Sequence, residues 1–349
     1  MVNVCSSAIL EGALRAFHRR TFSPEARLSL VFLDDSMQAE GAVDEGGPSR
    51  EFFRLLLRAI KDSTLFTGPE SSKNLSLDSH ALQRGLYKTF GTMIAVAFVH
   101  GGVAPLFFSE RLYNSLCQLT MQPPTLDEVT DGDLREKLKK ISEAANLMEA
   151  RAAVEEAAES LSLLGSLRHI VSMEGRDQLV EAATSFYVEG RIKEPLEQFA
   201  MGLSTLGVLG VMRSHPTLMR DVFAKSNEAL QAATLMHLFG VQGSCQGSNR
   251  WHAERRTEGF WRDYLLDIED GAMEVTLEQV LVFVSGADRI PVLGFTPRPT
   301  LSFLHEHGKI FPEANTCIVN LKLPIHQNYE NFCKYMSEGI IQSPTFGMA

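Results

Sequence analysis
The stretch Phe311-Pro312-Glu313-Ala314-Asn315-Thr316-Cys317 runs straight into Ile318-Val319-Asn320-Leu321-Lys322-Leu323-Pro324, and its cysteine stands 32 residues before the final Ala349. Pro312 marks a loop. Beyond it, Asn320 and Lys322 alternate with Val319, Leu321 and Leu323, a period that predicts a short strand over residues 317–323. A thiol at the joint between loop and strand can be reached from outside. No other residue in the chain makes an equally good catalytic group, so the functional question is whether Cys317 is a nucleophile. The competing reading is a small buried hydrophobe on a strand, the usual state of a free cysteine.

The other cysteines, Cys5, Cys117, Cys245 and Cys333, are widely scattered, and no Cys-x-x-Cys pair occurs. Neither a disulfide framework nor a structural zinc site is expected, and a reducing compartment, cytoplasmic or nuclear, suits the chain. These four read as packing, Cys333 for the closing helix. His305-x-His307 offers two imidazoles without a third ligand, so no metal site is read there. Gly46-Gly47 is followed by no Gly-Lys-Ser/Thr, which removes a phosphate loop, and no cofactor is expected. Lys and Arg number 33 against 43 Asp and Glu, a net charge of -10 that argues against nucleic acid as a partner.

Residues 1–10 lack the basic start and long apolar run of a signal peptide. Residues 89–108 contain no Asp, Glu, Lys or Arg, and a bilayer span needs about 20 apolar residues. His100, Gly101-Gly102 and Pro105 interrupt the run, so a buried core helix ending at the glycines is expected rather than a membrane span.

At 349 residues the chain has room for two domains. Leu28 to Phe32 reads as a strand. After Gly46-Gly47-Pro48, the residues Phe52, Phe53, Leu56, Leu57 and Ile60 recur at helical spacing. Helical patterns follow over residues 82–97 and 109–116, and over 127–164, which is rich in Ala, Glu, Leu and Lys. They continue over 176–190, 194–212 and 217–238. Residues 240–249 hold three glycines and two serines and read as a flexible joint. Beyond the joint, a helix begins at Gly259-Phe260-Trp261. Leu281 to Val284 reads as a buried strand, Thr300 to His305 as another, and a short helix over 331–340 closes the chain. The expected fold class is α+β: a large, mostly helical domain over residues 1–242, a joint at 243–249, and a smaller mixed domain over 250–349.

The cysteine loop resembles that of the HECT-type ubiquitin ligases. These carry Leu-Pro-x-Ala-x-Thr-Cys, then a strand ending in Leu-x-Leu-Pro, about thirty residues before the C-terminus. Pro312, Ala314, Thr316, Cys317, Leu321, Leu323 and Pro324 match, with Phe311 in place of the leucine. Gly46-Gly47-Pro48-Ser49-Arg50-Glu51-Phe52-Phe53 is similar to the family's Gly-Gly-x-x-Arg-Glu-Phe-Phe. Phe90 to Pro105 looks like its helix ending in Ala-x-x-x-Gly, and Phe260-Trp261 like its Phe-Trp. Val284-Ser285-Gly286 through Ile290-Pro291 to Gly294-Phe295 resembles its Val-Thr-Gly-x-x-x-Ile-Pro-x-x-Gly-Phe. Phe346 stands fourth from the end, as in many members.

The resemblance implies a bilobal fold with an N-lobe, a hinge and a C-lobe over the ranges given above. It also implies transfer of ubiquitin from a conjugating enzyme to Cys317 as a thioester, then to a lysine of a protein substrate. Asn315 and Thr316 would support the catalytic loop, with Asn315 and the loop's N–H groups steadying an oxyanion, and Phe346 would position the lobes or ubiquitin. There are departures. The family's His and Phe on either side of Thr-Cys are Asn315 and Ile318, and residues 127–211 do not read like the usual segment that docks a conjugating enzyme. These departures bear on partner docking and rate more than on fold. The alternative is a HECT-like scaffold that binds ubiquitin or partners without transfer. A cysteine hydrolase ranks last, because such enzymes pair the thiol with a His and set it at a helix start.

Overall fold
A computed structural model describes residues 2–5, 8–26, 28, 30–33, 46–224 and 229–343. The fold is α+β as expected, with many helices and small sheets. Contacts divide the chain into two compact units: one comprises residues 1–61, 93–105 and 226–349, the other residues 62–92 and 106–225.

In the first unit, a four-stranded sheet is ordered Gly240–Val241, Thr300–Leu304, Asn320–Pro324, Glu313–Asn315. Thr300 pairs with Asn320 and Leu304 with Pro324 in parallel, whereas Glu313 pairs antiparallel with Lys322 and Asn315 with Asn320. Leu301, Leu321 and Leu323 enter a core closed by Trp261, Tyr264 and Leu265 of the Asn249–Glu269 helix and by Phe332 and Met336 of the Tyr329–Ile341 helix. Fully burying a side chain of this kind stabilises by about 1.5–3 kcal/mol. The early strand expected over Leu28 to Phe32 is observed at Leu30–Leu33, and Val2–Cys5 pairs with it in parallel.

Leu281 to Val284 is not a strand but part of the Leu277–Ser285 helix. A short apolar run cannot be assigned by periodicity alone, and here the ends decide. Thr276 accepts from the Gln279 N–H at 3.2 Å while the Gln279 side chain accepts from the Thr276 N–H at 2.8 Å, a reciprocal N-terminal cap. Gly286 closes the other end with φ 78, in the left-handed region. The helix carrying Phe260-Trp261 starts earlier than expected, at Asn249, capped by Ser248.

The segment read as a joint is tied down at both ends, by the sheet at Gly240–Val241 and by the Ser248 cap of the next helix. Gly240 and Val241 extend the sheet, and the Gln242 N–H donates to the Leu301 carbonyl at 2.8 Å. Glu254, buried on the following helix, accepts from the Ser244 N–H and hydroxyl at 2.7 Å each and meets His305 Nε2 at 2.6 Å.

In the second unit, the Gly132–Glu143, Leu147–Glu156, Ala158–Leu163 and Met173–Val188 helices surround their own core of Leu138, Ile141, Leu161, Leu179 and Ala183. The expected 194–212 helix is two, Lys193–Leu203 and Val208–Ser214, broken where Leu206 takes φ 55 and Gly207 φ 76. The 217–238 pattern holds helices Pro216–Phe223 and Ala232–Leu238, with 225–228 outside the described residues. The apolar run at 89–108 forms most of the Leu86–Gly101 helix, with Met93 to Ala97 fully buried. Among the described residues no helix is long and apolar enough to cross a membrane.

Candidate active site
The strands Glu313–Asn315 and Asn320–Pro324 form a hairpin, so Cys317 sits inside the turn 316–319. The expected strand over 317–323 begins three residues later, at Asn320. The reason is Val319, whose φ of 52 breaks the extended run. A β-branched residue is strained in that region, at a cost of about 1–3 kcal/mol. Its side chain is fully buried, which pins the turn to the core. Cys317 is half-buried and Ile318 is exposed.

Asn315 shapes the turn from within. Its Oδ1 accepts from the N–H of Cys317 at 3.1 Å and from that of Ile318 at 3.4 Å. This is an Asx turn, a local side-chain bond that Asn makes readily. Two of the expected oxyanion donors, the N–H groups of Cys317 and Ile318, therefore already have an acceptor.

Arg50 holds the turn from outside. Its Nη2 donates to the Thr316 carbonyl, and its Nε to the Ser285 carbonyl at 2.8 Å. The guanidinium also lies 5.8 Å from the Phe295 ring centroid. Arg50 belongs to the Gly47–Lys61 helix, whose start lies so close to the turn that a methyl on Gly47 would fall 2.2 Å from Thr316 Oγ1. A methyl on Gly286 would fall 3.0 Å from the Gly47 carbonyl oxygen. Next to Arg50, Glu51 is buried and accepts from Arg54 Nη2 at 2.7 Å and Nε at 3.1 Å, so its charge is compensated. A cleft of about 830 Å³ lies alongside, lined by Glu51, Arg54, Val282, Pro312, Thr316 and Ile340 among others.

Glu313 is flanked by Lys309 and Lys322, and its carboxyl is held below the ordinary range, chiefly by the Lys309 hydrogen bond against the opposing effect of burial. Two nearby histidines have other partners: His305 meets Glu254, and His326 pairs with the Ile310 carbonyl at 2.9 Å and stacks on Tyr335. Among the described residues no group of His, Cys, Asp or Glu could hold a metal ion. Cys117 and Cys333 are buried, and burial pushes both thiols up. Cys245 is exposed. The side chain of Cys5 and all of Phe346 lie outside the described residues.

Of the expected site residues, Asn315, Thr316 and Cys317 come together by chain continuity. Arg50 stands out in the sequence only as part of a resembling motif and as a member of an amphipathic helix. Its bond to Thr316 joins residues 266 apart, which no local pattern carries.

The sequence profile of the HECT-domain (ubiquitin-transferase) family matches residues 48–349, and the chain belongs to that family. Within it, the chain is 36% identical over 332 residues to the G2/M phase-specific E3 ubiquitin-protein ligase of Gallus gallus, covering 95% of this chain and 43% of the relative. The Homo sapiens protein of the same name is 34% identical over 331 residues, covering 94% of this chain and 45% of the relative. E3 ubiquitin-protein ligase pub3 of Schizosaccharomyces pombe is 23% identical over 343 residues, covering 88% of this chain and 40% of the relative. The chain thus spans less than half the length of these relatives.

Proposed function
We propose that this chain is a HECT-type ubiquitin-protein transferase with Cys317 as its nucleophile. The observation that carries the reading is a half-buried thiol on a turn whose backbone is held by Asn315 and Arg50, in a chain of this family. The Cys317 thiolate attacks the carbonyl carbon of a ubiquitin thioester on a conjugating enzyme. A new C–S bond forms, the old one breaks, and the conjugating enzyme leaves as thiolate. A lysine amine of the protein substrate then attacks the Cys317 thioester. The amide forms, a proton is lost, and the Cys317 thiolate departs. Exchange of one thioester for another is nearly isoenergetic and aminolysis of a thioester runs downhill, so neither step needs a nucleotide to drive it. Thr316 carries the carbonyl that fixes the turn and Asn315 the carboxamide that shapes it. Phe346 would position the lobes or ubiquitin.

The same reading takes residues 1–242 as an N-lobe, 243–249 as a hinge and 250–349 as a C-lobe. Lobes that must visit a donor and then an acceptor need such a pivot. Residues 127–211, of which 129–188 contribute to one helical core, would be the place where the conjugating enzyme docks. A cytoplasmic or nuclear setting goes with the ubiquitin pathway. A scaffold that binds without transfer is the second reading. Asn315 favours it, because the two N–H groups nearest the sulfur are already engaged.

The test is a thioester assay with activating enzyme, a panel of conjugating enzymes, ubiquitin and ATP. A reductant-sensitive ubiquitin adduct is expected on the wild-type chain and not on Cys317→Ala. An adduct that survives the substitution would remove Cys317 from the role, and no adduct with any conjugating enzyme would leave the scaffold reading.

A further inference from the structure
We propose that Arg50 is a positioning residue for the Cys317 sulfur, acting on the peptide unit from which that residue hangs. The proposal rests on the thioester reading of Cys317. A peptide unit is planar, so its carbonyl and its N–H are two edges of one rigid plate. In the Thr316–Cys317 unit, the carbonyl edge accepts from Arg50 Nη2 and the N–H edge donates to Asn315 Oδ1. Asn315 belongs to the hairpin itself. Arg50 arrives from a helix 266 residues earlier in the chain.

The geometry around Arg50 fits this task. The guanidinium is a planar fork with donors in fixed directions. Its second arm is anchored on the Ser285 carbonyl at 2.8 Å, at the end of a helix closed by Gly286. Gly47 and Gly286 leave no side-chain atoms where the helix start, the Thr316 side chain and that helix end meet. With one arm tied to a helix terminus, the other reaches the turn at a set angle. A lysine ammonium can replace the charge but cannot bond both carbonyls in this fork.

The hairpin keeps its own pairing and its Asn315 turn without Arg50, so loss of the guanidinium leaves the loop folded but lets the Thr316–Cys317 unit tilt. Reaction at a misplaced nucleophile loses rate steeply, on the order of tenfold to a hundredfold for displacements below or near an ångström. The loss falls on the chemical step and not on acceptor binding.

The experiment uses the whole chain as wild type, Arg50→Ala and Arg50→Lys. Thermal melts establish folding. Single-turnover discharge of the ubiquitin thioester to free lysine gives kcat and KM, and mass spectrometry follows iodoacetamide alkylation of the Cys317 peptide. Both variants are expected to melt near wild type, discharge on the order of tenfold to a hundredfold more slowly in kcat, and keep KM for lysine. Discharge at the wild-type rate in both overturns the proposal. If Arg50→Ala melts far lower, Arg50→Lys, which keeps the charge and most of the stem, carries the comparison. If the wild type takes no ubiquitin, the transferase reading fails on its own account. Alkylation then decides Arg50: a several-fold change in rate supports the positioning role, and an unchanged rate overturns it.

Discussion
Asn315 Oδ1 lies 3.1 Å from the backbone nitrogen of Cys317 and accepts its hydrogen. A side chain two residues upstream thus takes the donor nearest the sulfur. The same oxygen meets the Ile318 nitrogen at 3.4 Å.

Removing that acceptor should loosen the turn. Asn315→Ala leaves two N–H groups to water, each bond being worth about 0.5–1.5 kcal/mol net. The expected result is a small drop in the urea midpoint and a several-fold slower transfer. Asn315→Asp retains an acceptor but sets a negative charge beside a developing thiolate, which opposes it. Iodoacetamide alkylation of Cys317 at neutral pH should therefore slow more in the aspartate variant than in the alanine one. Equal slowing would show that charge has no part.

Gly47→Ala tests the close approach between the helix start and the turn. Its methyl would fall 2.2 Å from Thr316 Oγ1 and 2.9 Å from Thr316 Cβ, so something must shift. Overpacking of this kind costs about 1–3 kcal/mol. The denaturation midpoint should fall accordingly. A Thr316→Ala partner substitution removes the Oγ1 and should recover part of the loss. No recovery in the double variant would place the cost elsewhere.

The Glu254 cluster predicts an acid limit to stability. Burial pushes the Glu254 carboxyl up, but the Ser244 hydroxyl, the Ser244 N–H and His305 together outweigh it and hold the group below its ordinary value. A depressed carboxyl contributes stability that is present above its unfolded value, about 4.3 for glutamate, and is lost as pH falls through the folded value. Urea midpoints measured from neutral pH downward should fall on this acid limb. In Glu254→Gln the part of the limb due to this carboxyl should vanish, while the neutral midpoint drops because the charge-assisted bonds weaken. Parallel acid limbs in the two proteins would refute the assignment.

Much of the site is legible in the order of the amino acids alone. The proline-marked loop, the cysteine and the following Leu-x-Leu-Pro predict the hairpin's second strand, and Phe52 to Ile60 predict the helix that carries Arg50. Three features are not legible there, each for a physical reason. Cys317 is expected on a strand and lies in a turn, because a buried Val319 takes a left-handed backbone that its residue type disfavours. Leu281 to Val284 is expected as a strand and is helical, because its caps, and not its apolar run, set its state. The anchoring of Ser244 by Glu254 is invisible because glycine and serine content describes what a segment can do alone, not what a buried carboxylate on the next helix does to it.

Both peptide planes flanking the Cys317 Cα carry a hydrogen bond to Asn315, and the first is also gripped by Arg50. With the backbone torsions of that residue restrained on either side, the chief freedom left to the sulfur is rotation about its own Cα–Cβ bond. Such a bond has three staggered wells. A thiol so mounted moves by discrete rotamer jumps, so its aim is set in steps of χ1 and not by drift of the backbone.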